Sequence, residues 1–155
     1  MLYLRIIIQT HHQTTNAMTI YKKIWRFAVC ALIVAIAACG AFKQCDEVGV
    51  GFYNCLKNRT FDLALQYLDE EAIIATPKDI WLNGLQEKDR QLGFLLSVQR
   101  QDFESYTVDN VTRLAIKYKT FYSHGTIFER LEFIEREGDF KITFYQYNED
   151  STMVQ

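Results

Sequence analysis

A chain of 155 residues that is 49% hydrophobic and 14% aromatic has the means to pack one core, which excludes a disordered protein and an array of domains. One proline and seven glycines exclude a flexible linker inside the folded part. The net charge of −2 conceals an asymmetry, because Arg5, Lys22, Lys23 and Arg26 are the only charged side chains before Cys39; from Cys39 onward thirteen basic residues face nineteen acidic ones, a net of −6. A body so acidic, with no basic cluster, argues against nucleic acid as a partner.

The chain order opens on a targeting segment. From Met18, "MTIYKKIWRFAVCALIVAIAAC" joins a positive start (Lys22, Lys23, Arg26) to an apolar run, Phe27 to Ala38, and closes on small residues. Twelve helical residues reach only ~18 Å against ~30 Å of hydrocarbon, so a stable span is disfavoured. The pattern predicts a signal peptide over 1–38, with 1–17 upstream of the true start at Met18. His11, His12 and Cys30 then leave with it.

Ile36-Ala37-Ala38-Cys39 resembles the lipobox of bacterial lipoproteins: an aliphatic residue, two small ones, then the modified cysteine. The resemblance implies that the Cys39 thiol receives a diacylglyceryl group, that the chain is cut between Ala38 and Cys39, and that a fatty acid such as palmitate acylates the new amino terminus. Each buried CH₂ contributes ~0.8 kcal/mol, and two or more chains anchor a protein stably. Gly40 stands where an aspartate would signal inner-membrane retention, so the implied address is the periplasmic face of the outer membrane. Residues 39–45 form the lipidated tether.

Cys45 and Cys55 remain. An oxidising compartment permits a disulfide between them. Ten residues along one helix separate Cα atoms by ~15 Å, whereas a bridge needs under ~7 Å. The bond therefore requires Cys45 to precede the helix and the chain to fold back, with Gly49 and Gly51 supplying freedom. The alternative is that Cys55 is a small core residue beside Val48 and Phe52.

Val48, Phe52 and Cys55 recur at helical spacing, predicting a helix over 46–57. Thr60 is expected to cap a second helix carrying Phe61, Ala64, Leu65 and Leu68, ended by Asp69-Glu70-Glu71. Thr76 caps a third, Pro77 takes its first position, and Trp81, Leu85, Leu92 and Leu96 give its buried face to about residue 98. Then the period drops to two, and 105–122 reads as one or two strands. "SHG", with Gly125 suited to positive φ, turns the chain into a strand over Thr126 to Arg136; "EGD" turns it into "FKITFYQY". The predicted class is α+β: three N-terminal helices packed on a curved antiparallel β-meander over 46–150, with a tail at 151–155.

That order, with "FYNCLKNRTFDLALQYL" at its front, is similar to the nuclear transport factor 2-like (cystatin-like) superfamily over about 46–148. The resemblance implies a sheet wrapped around the long helix into a cone whose mouth holds an apolar ligand, with Trp81, Tyr118 and Phe144 as candidate lining. It also implies pairing of two copies through the sheet.

Nothing in the body carries a catalytic signature. His124 falls in a turn and reads as exposed and idle, and no metal or cofactor site is expected. Glu129, Glu132, Glu135 and Glu137 read as a solvated sheet surface paired with Arg130, Arg136 and Lys141, and Asp69-Glu70-Glu71 as an exposed helix end. Tyr118, Tyr122, Tyr145 and Tyr147 read as packing residues or pocket lining. The expected function is a membrane-anchored periplasmic lipoprotein that binds a small apolar ligand or an envelope protein without catalysis. The alternatives are a small isomerase or hydrolase with its site in the cone, and an envelope-defence or exclusion lipoprotein of a mobile element.

Overall fold

The computed structural model describes Trp25 and residues 40–149. The expected cleavage site at Ala38 and Cys39, the rest of the signal segment apart from Trp25, and the tail 151–155 lie outside the described residues. From Phe42 onward the chain forms one unit.

Helix α1 covers 40–57, several residues earlier than the sequence suggests. It buries Cys45, Phe52, Tyr53 and Leu56. Its end is a left-handed stop at Arg59 (φ 58°), where Arg59 N donates to the Leu56 carbonyl at 3.1 Å and Thr60 N to that of Cys55 at 3.0 Å. The Thr60 hydroxyl also donates to the Cys55 carbonyl, at 3.2 Å. Thr60 thus closes α1 instead of capping the next helix through its side chain.

The single helix expected after Thr60 is broken. Phe61–Ala64 forms α2, Leu65–Tyr67 a 3₁₀ turn, and Leu68 is extended. Asp69 does not end a helix but starts one: its Oδ1 accepts from Glu71 N at 3.1 Å at the head of α3, Glu70–Ala75. Carboxylates favour a helix N-terminus, where free N–H groups point outward, over its end. Thr76 closes α3, and Pro77 holds the cap position of α4, Lys78–Leu92. Gly93, at φ 78°, stops α4 before residue 98. Leu96, expected on the helix's buried face, lies in a strand and is exposed.

Four strands follow: β1 Leu95–Val108, β2 Val111–Tyr122, β3 Gly125–Arg136 and β4 Asp139–Asn148. They form an open antiparallel sheet in sequence order. The tight β1–β2 turn uses Asp109 and Asn110, both left-handed. Gly125 is instead an ordinary strand residue opposite Tyr122. Leu68 adds a parallel bridge to Ile142 and covers part of the β4 edge.

The register sorts side chains by face. Ile116, Tyr118, Thr120 and Tyr122 of β2 stand opposite Leu131, Glu129, Ile127 and Gly125 of β3, and Leu131 and Glu129 face Tyr145 and Tyr147 of β4. Both α1 and α4 pack on this inner face: Tyr53 meets Tyr118 edge-on at 5.0 Å, Phe52 meets Tyr145 at 5.6 Å, and Lys88 reaches Glu129.

Candidate functional site

The inner face holds one ionic centre. Lys88 lies on the apolar stripe of α4, and Glu129 stands between Ile127 and Leu131 on β3; they are 3% and 0% exposed. Lys88 Nζ donates to Glu129 Oε1 at 3.2 Å and to the Tyr145 hydroxyl. Tyr122 donates to the same Oε1 at 2.9 Å, the Thr120 hydroxyl lies 2.9 Å from it, and Tyr145 donates to Oε2 at 2.9 Å. The ammonium lies 4.8 Å from the ring centre of Tyr145 and 5.6 Å from that of Tyr147. Burial pulls the Lys88 pKa down, and Glu129 opposes it. Burial and then the Glu129 charge push Tyr122 and Tyr145 upward, so both stay protonated donors.

This is a closed, mutually satisfied network. Both Glu129 oxygens accept, and Trp81 lies beside Tyr145, tilted by 34° with 6.4 Å between ring centres, while donating its indole N–H to the Ala72 carbonyl. The expectation that Glu129 belongs to a solvated surface is therefore wrong. Its neighbours behave differently: Glu132 pairs with Arg130 at 3.1 Å on the outer face, whereas Arg136 leaves the sheet for Asp69 (3.1 Å) and Glu71 (2.7 Å).

The second feature is a groove of about 350 Å³ between α1 and β1. Val50, Leu95, Leu96 and Val98 give it apolar walls, and Asp46, Asn54, Lys57 and Arg100 line its rim. Tyr53 and Tyr118 form its inner wall, each at least nine-tenths buried, with the Tyr118 hydroxyl sealed against Gly49 and the Tyr53 hydroxyl turned toward Glu129. Both pKa values are pushed up, by burial first and then by nearby carboxylates, Glu129 for Tyr53 and Asp46 for Tyr118. Arg100 spans the groove's end, 3.2 Å from Asp46 and stacked on Phe42 at 4.5 Å.

The glycines of "VGVGF" explain how this wall is built. A Cβ at Gly49 would collide with the Tyr118 hydroxyl, and one at Gly51 with the Tyr67 ring. They are points of close approach inside α1 and give no fold-back. Cys45 and Cys55 accordingly lie in one helix as free thiols, so of the two readings the sequence leaves open the structure shows the one without a bridge. Cys45 is buried, and burial, reinforced by Asp46 and Glu135, pushes its thiol up to about 12, which leaves it unreactive.

Of the three expected lining residues, Tyr118 is in the groove wall, Trp81 covers the ionic centre, and Phe144 faces away, opposite Glu132 on the exposed side of the sheet. The structure does not bring them together. His124 is exposed in the β2–β3 turn, its N–H donating to the Leu92 carbonyl at 2.9 Å. Among the described residues no cluster of histidine, cysteine and carboxylates has metal-binding geometry, and no helix is long and apolar enough to cross a membrane. The chain matches no protein-family model and no curated protein sequence.

Proposed function

We propose that this chain is a lipid-anchored, non-enzymatic binding module of the bacterial envelope, with a nuclear transport factor 2-like domain held at the outer membrane through Cys39. One observation carries the binding reading. The ionisable groups deep in the sheet are sealed and occupied with one another, whereas the α1–β1 groove offers unfilled space between apolar walls and a charged rim. The rival isomerase or hydrolase reading draws support from Lys88, a buried amine with a lowered pKa. Its neighbours weigh against it, because a general base needs a free lone pair within reach of a substrate, and Lys88 is spent on Glu129 and Tyr145.

Mass spectrometry of the mature amino terminus tests the anchor: Cys39 bearing a diglyceride and an acyl chain is expected, and an unmodified chain beginning elsewhere overturns it. A photo-crosslinking residue at Leu96, on the groove rim, is expected to capture a ligand in the native envelope. Capture from Phe144 alone would move binding to the outer sheet face.

A further inference from the structure

We infer that the open edge of β1, over residues 103–108, pairs antiparallel with the same stretch of a second copy of this chain, joining two four-stranded sheets edge to edge about Ser105. This stretch lies past the groove residues of β1, which end at Arg100, and it leaves the outer face of the sheet uncovered.

The two edges of the sheet are treated differently. On the β4 edge, Leu68 bridges to Ile142 and Asp69 N donates to the Ile142 carbonyl at 2.8 Å. Among the described residues β1 has no backbone partner on its outer side, although it is 14 residues long. Such a row of unpaired N–H and C=O groups is a template for another strand. The first half of β1 carries the usual guards: its register breaks after Leu95 and after Arg100, and Arg100 and Asp102 are exposed charges. From Asp102 to Val108 the register on β2 is unbroken, with no lysine, proline or glycine. Glu104 is the one charge within 103–108, and Lys117 at 2.8 Å and Arg130 at 3.3 Å neutralise it.

The hairpin decides which backbone groups face outward. Asp109 and Asn110 form a two-residue turn closed by Val108 and Val111. The closing residues of such a turn exchange hydrogen bonds, so by alternation Val108, Tyr106 and Glu104 bond inward to β2. Thr107, Ser105 and Phe103 then aim their N–H and C=O groups outward. Phe103 N agrees with this, since its acceptor is Oδ1 of the adjacent Asp102, at 2.8 Å. A two-fold axis through Ser105 sets Ser105 against Ser105 and Phe103 against Thr107, all of them outward residues. About six hydrogen bonds form, two of them as Phe103 N leaves Asp102 in each copy. On the other face Glu104 falls beside Tyr106 and Asp102 beside Val108, so no like charges meet.

The anchor favours a second copy over a foreign strand, a point that rests on the lipid reading of Cys39. Phe42 of α1 packs edge-on against Phe103, with 4.7 Å between ring centres. Cys39 stands three residues before Phe42, within ~11 Å along the chain. An axis perpendicular to the sheet keeps both Cys39 residues on one face and near the axis, so both lipids enter one bilayer. Confinement to that surface raises the effective concentration, which sustains a contact as short as this one.

The test uses the full chain in native envelope membranes. Ser105→Cys is expected to form a disulfide-linked dimer on mild oxidation, since opposed Cα atoms of a hydrogen-bonded pair lie about 5.5 Å apart. Gln99→Cys is expected to stay monomeric, because the same axis holds its two copies about 40 Å apart. A photo-crosslinking residue at Thr107 is expected to give a product of twice the chain's mass. Adding Ser105→Lys, at an exposed position that keeps the circular dichroism of the folded chain, is expected to reduce that product at least about tenfold. A Thr107 product with a different protein would overturn the second copy as the occupant. No product, a product indifferent to Ser105→Lys, or self-crosslinking from Phe144 but not from Thr107 would overturn the edge pairing itself. Mass spectrometry of Cys39 separates the two readings: an unlipidated chain that still crosslinks at Ser105 removes the anchor and leaves the pairing standing.

Discussion

Gly49 and Gly51 show what a single missing side chain does here. Glycine inside a helix is unfavourable by roughly 0.8–1.0 kcal/mol relative to alanine, so two within one turn of α1 need a reason. Tyr118 and Tyr67 supply it by lying where the Cβ atoms would be. Gly49→Ala is therefore expected to destabilise the domain by about 1–3 kcal/mol in urea unfolding, the usual cost of overpacking. Gly84 is the control, mid-helix in α4 with open space around it, and Gly84→Ala is expected to stabilise by about 0.5–1 kcal/mol. The sequence displays all three glycines but not which side chain crosses which. For that reason "VGVGF" reads equally well as loose chain and as close packing, and the Cys45–Cys55 bridge hangs on the wrong choice. Cys55 as a helical residue with no bridge is the reading that the geometry supports.

At the scale of elements, α4 and β3 each carry one charged residue in an apolar row. Trp81, Leu85, Lys88 and Leu92 share one stripe of α4, and Ile127, Glu129, Leu131 and Phe133 alternate along β3. That pattern was legible, since a lone charge in a buried row calls for a partner of opposite sign. Reading the glutamates of β3 as one exposed set overlooks the apolar residues between them. Lys88→Met is expected to cost about 3–5 kcal/mol in urea unfolding, because it strands a buried carboxylate. Adding Glu129→Leu is expected to recover much of that loss, and a double variant as unstable as the single one would contradict an ion pair as the cause. Element ends were the least legible feature. The stop of α4 depends on Gly93, and that of the expected second helix on Leu68 leaving to bridge β4, a contact seventy-four positions away in the chain. Local propensity carries no information about such a partner.

For the molecule as a whole, helices followed by an antiparallel sheet were readable from the change of period after Asp102, although β1 already begins at Leu95, while the groove was not, since it exists only between elements distant in sequence. The buried tyrosines tie the fold to pH. Tyr53, Tyr118, Tyr122 and Tyr145 all have pKa values raised above 10.0 in the folded state, so the unfolded chain loses those protons first. Stability is expected to hold below about pH 10 and to fall above it, by about 1.4 kcal/mol per pH unit for each tyrosine. Lys88, with its pKa lowered, acts in the opposite sense, adding stability as pH rises toward 10.5, but one lysine does not offset four tyrosines. Absorbance of tyrosinate tracked beside circular dichroism checks this: the two signals should change together, and buried phenols that ionise in a still-folded domain would contradict it. The strand order has a consequence for how the domain comes into being. Each strand pairs with its neighbour in the chain, so the sheet assembles by successive short-range closures. The helices are synthesised first and β4 last, and β4 brings Ile142 to the core and Tyr145 to Glu129. A chain still being made therefore keeps its ionic centre incomplete and its apolar faces uncovered until the final hairpin arrives, which makes the β3–β4 turn at Glu137–Gly138 the closing step of folding.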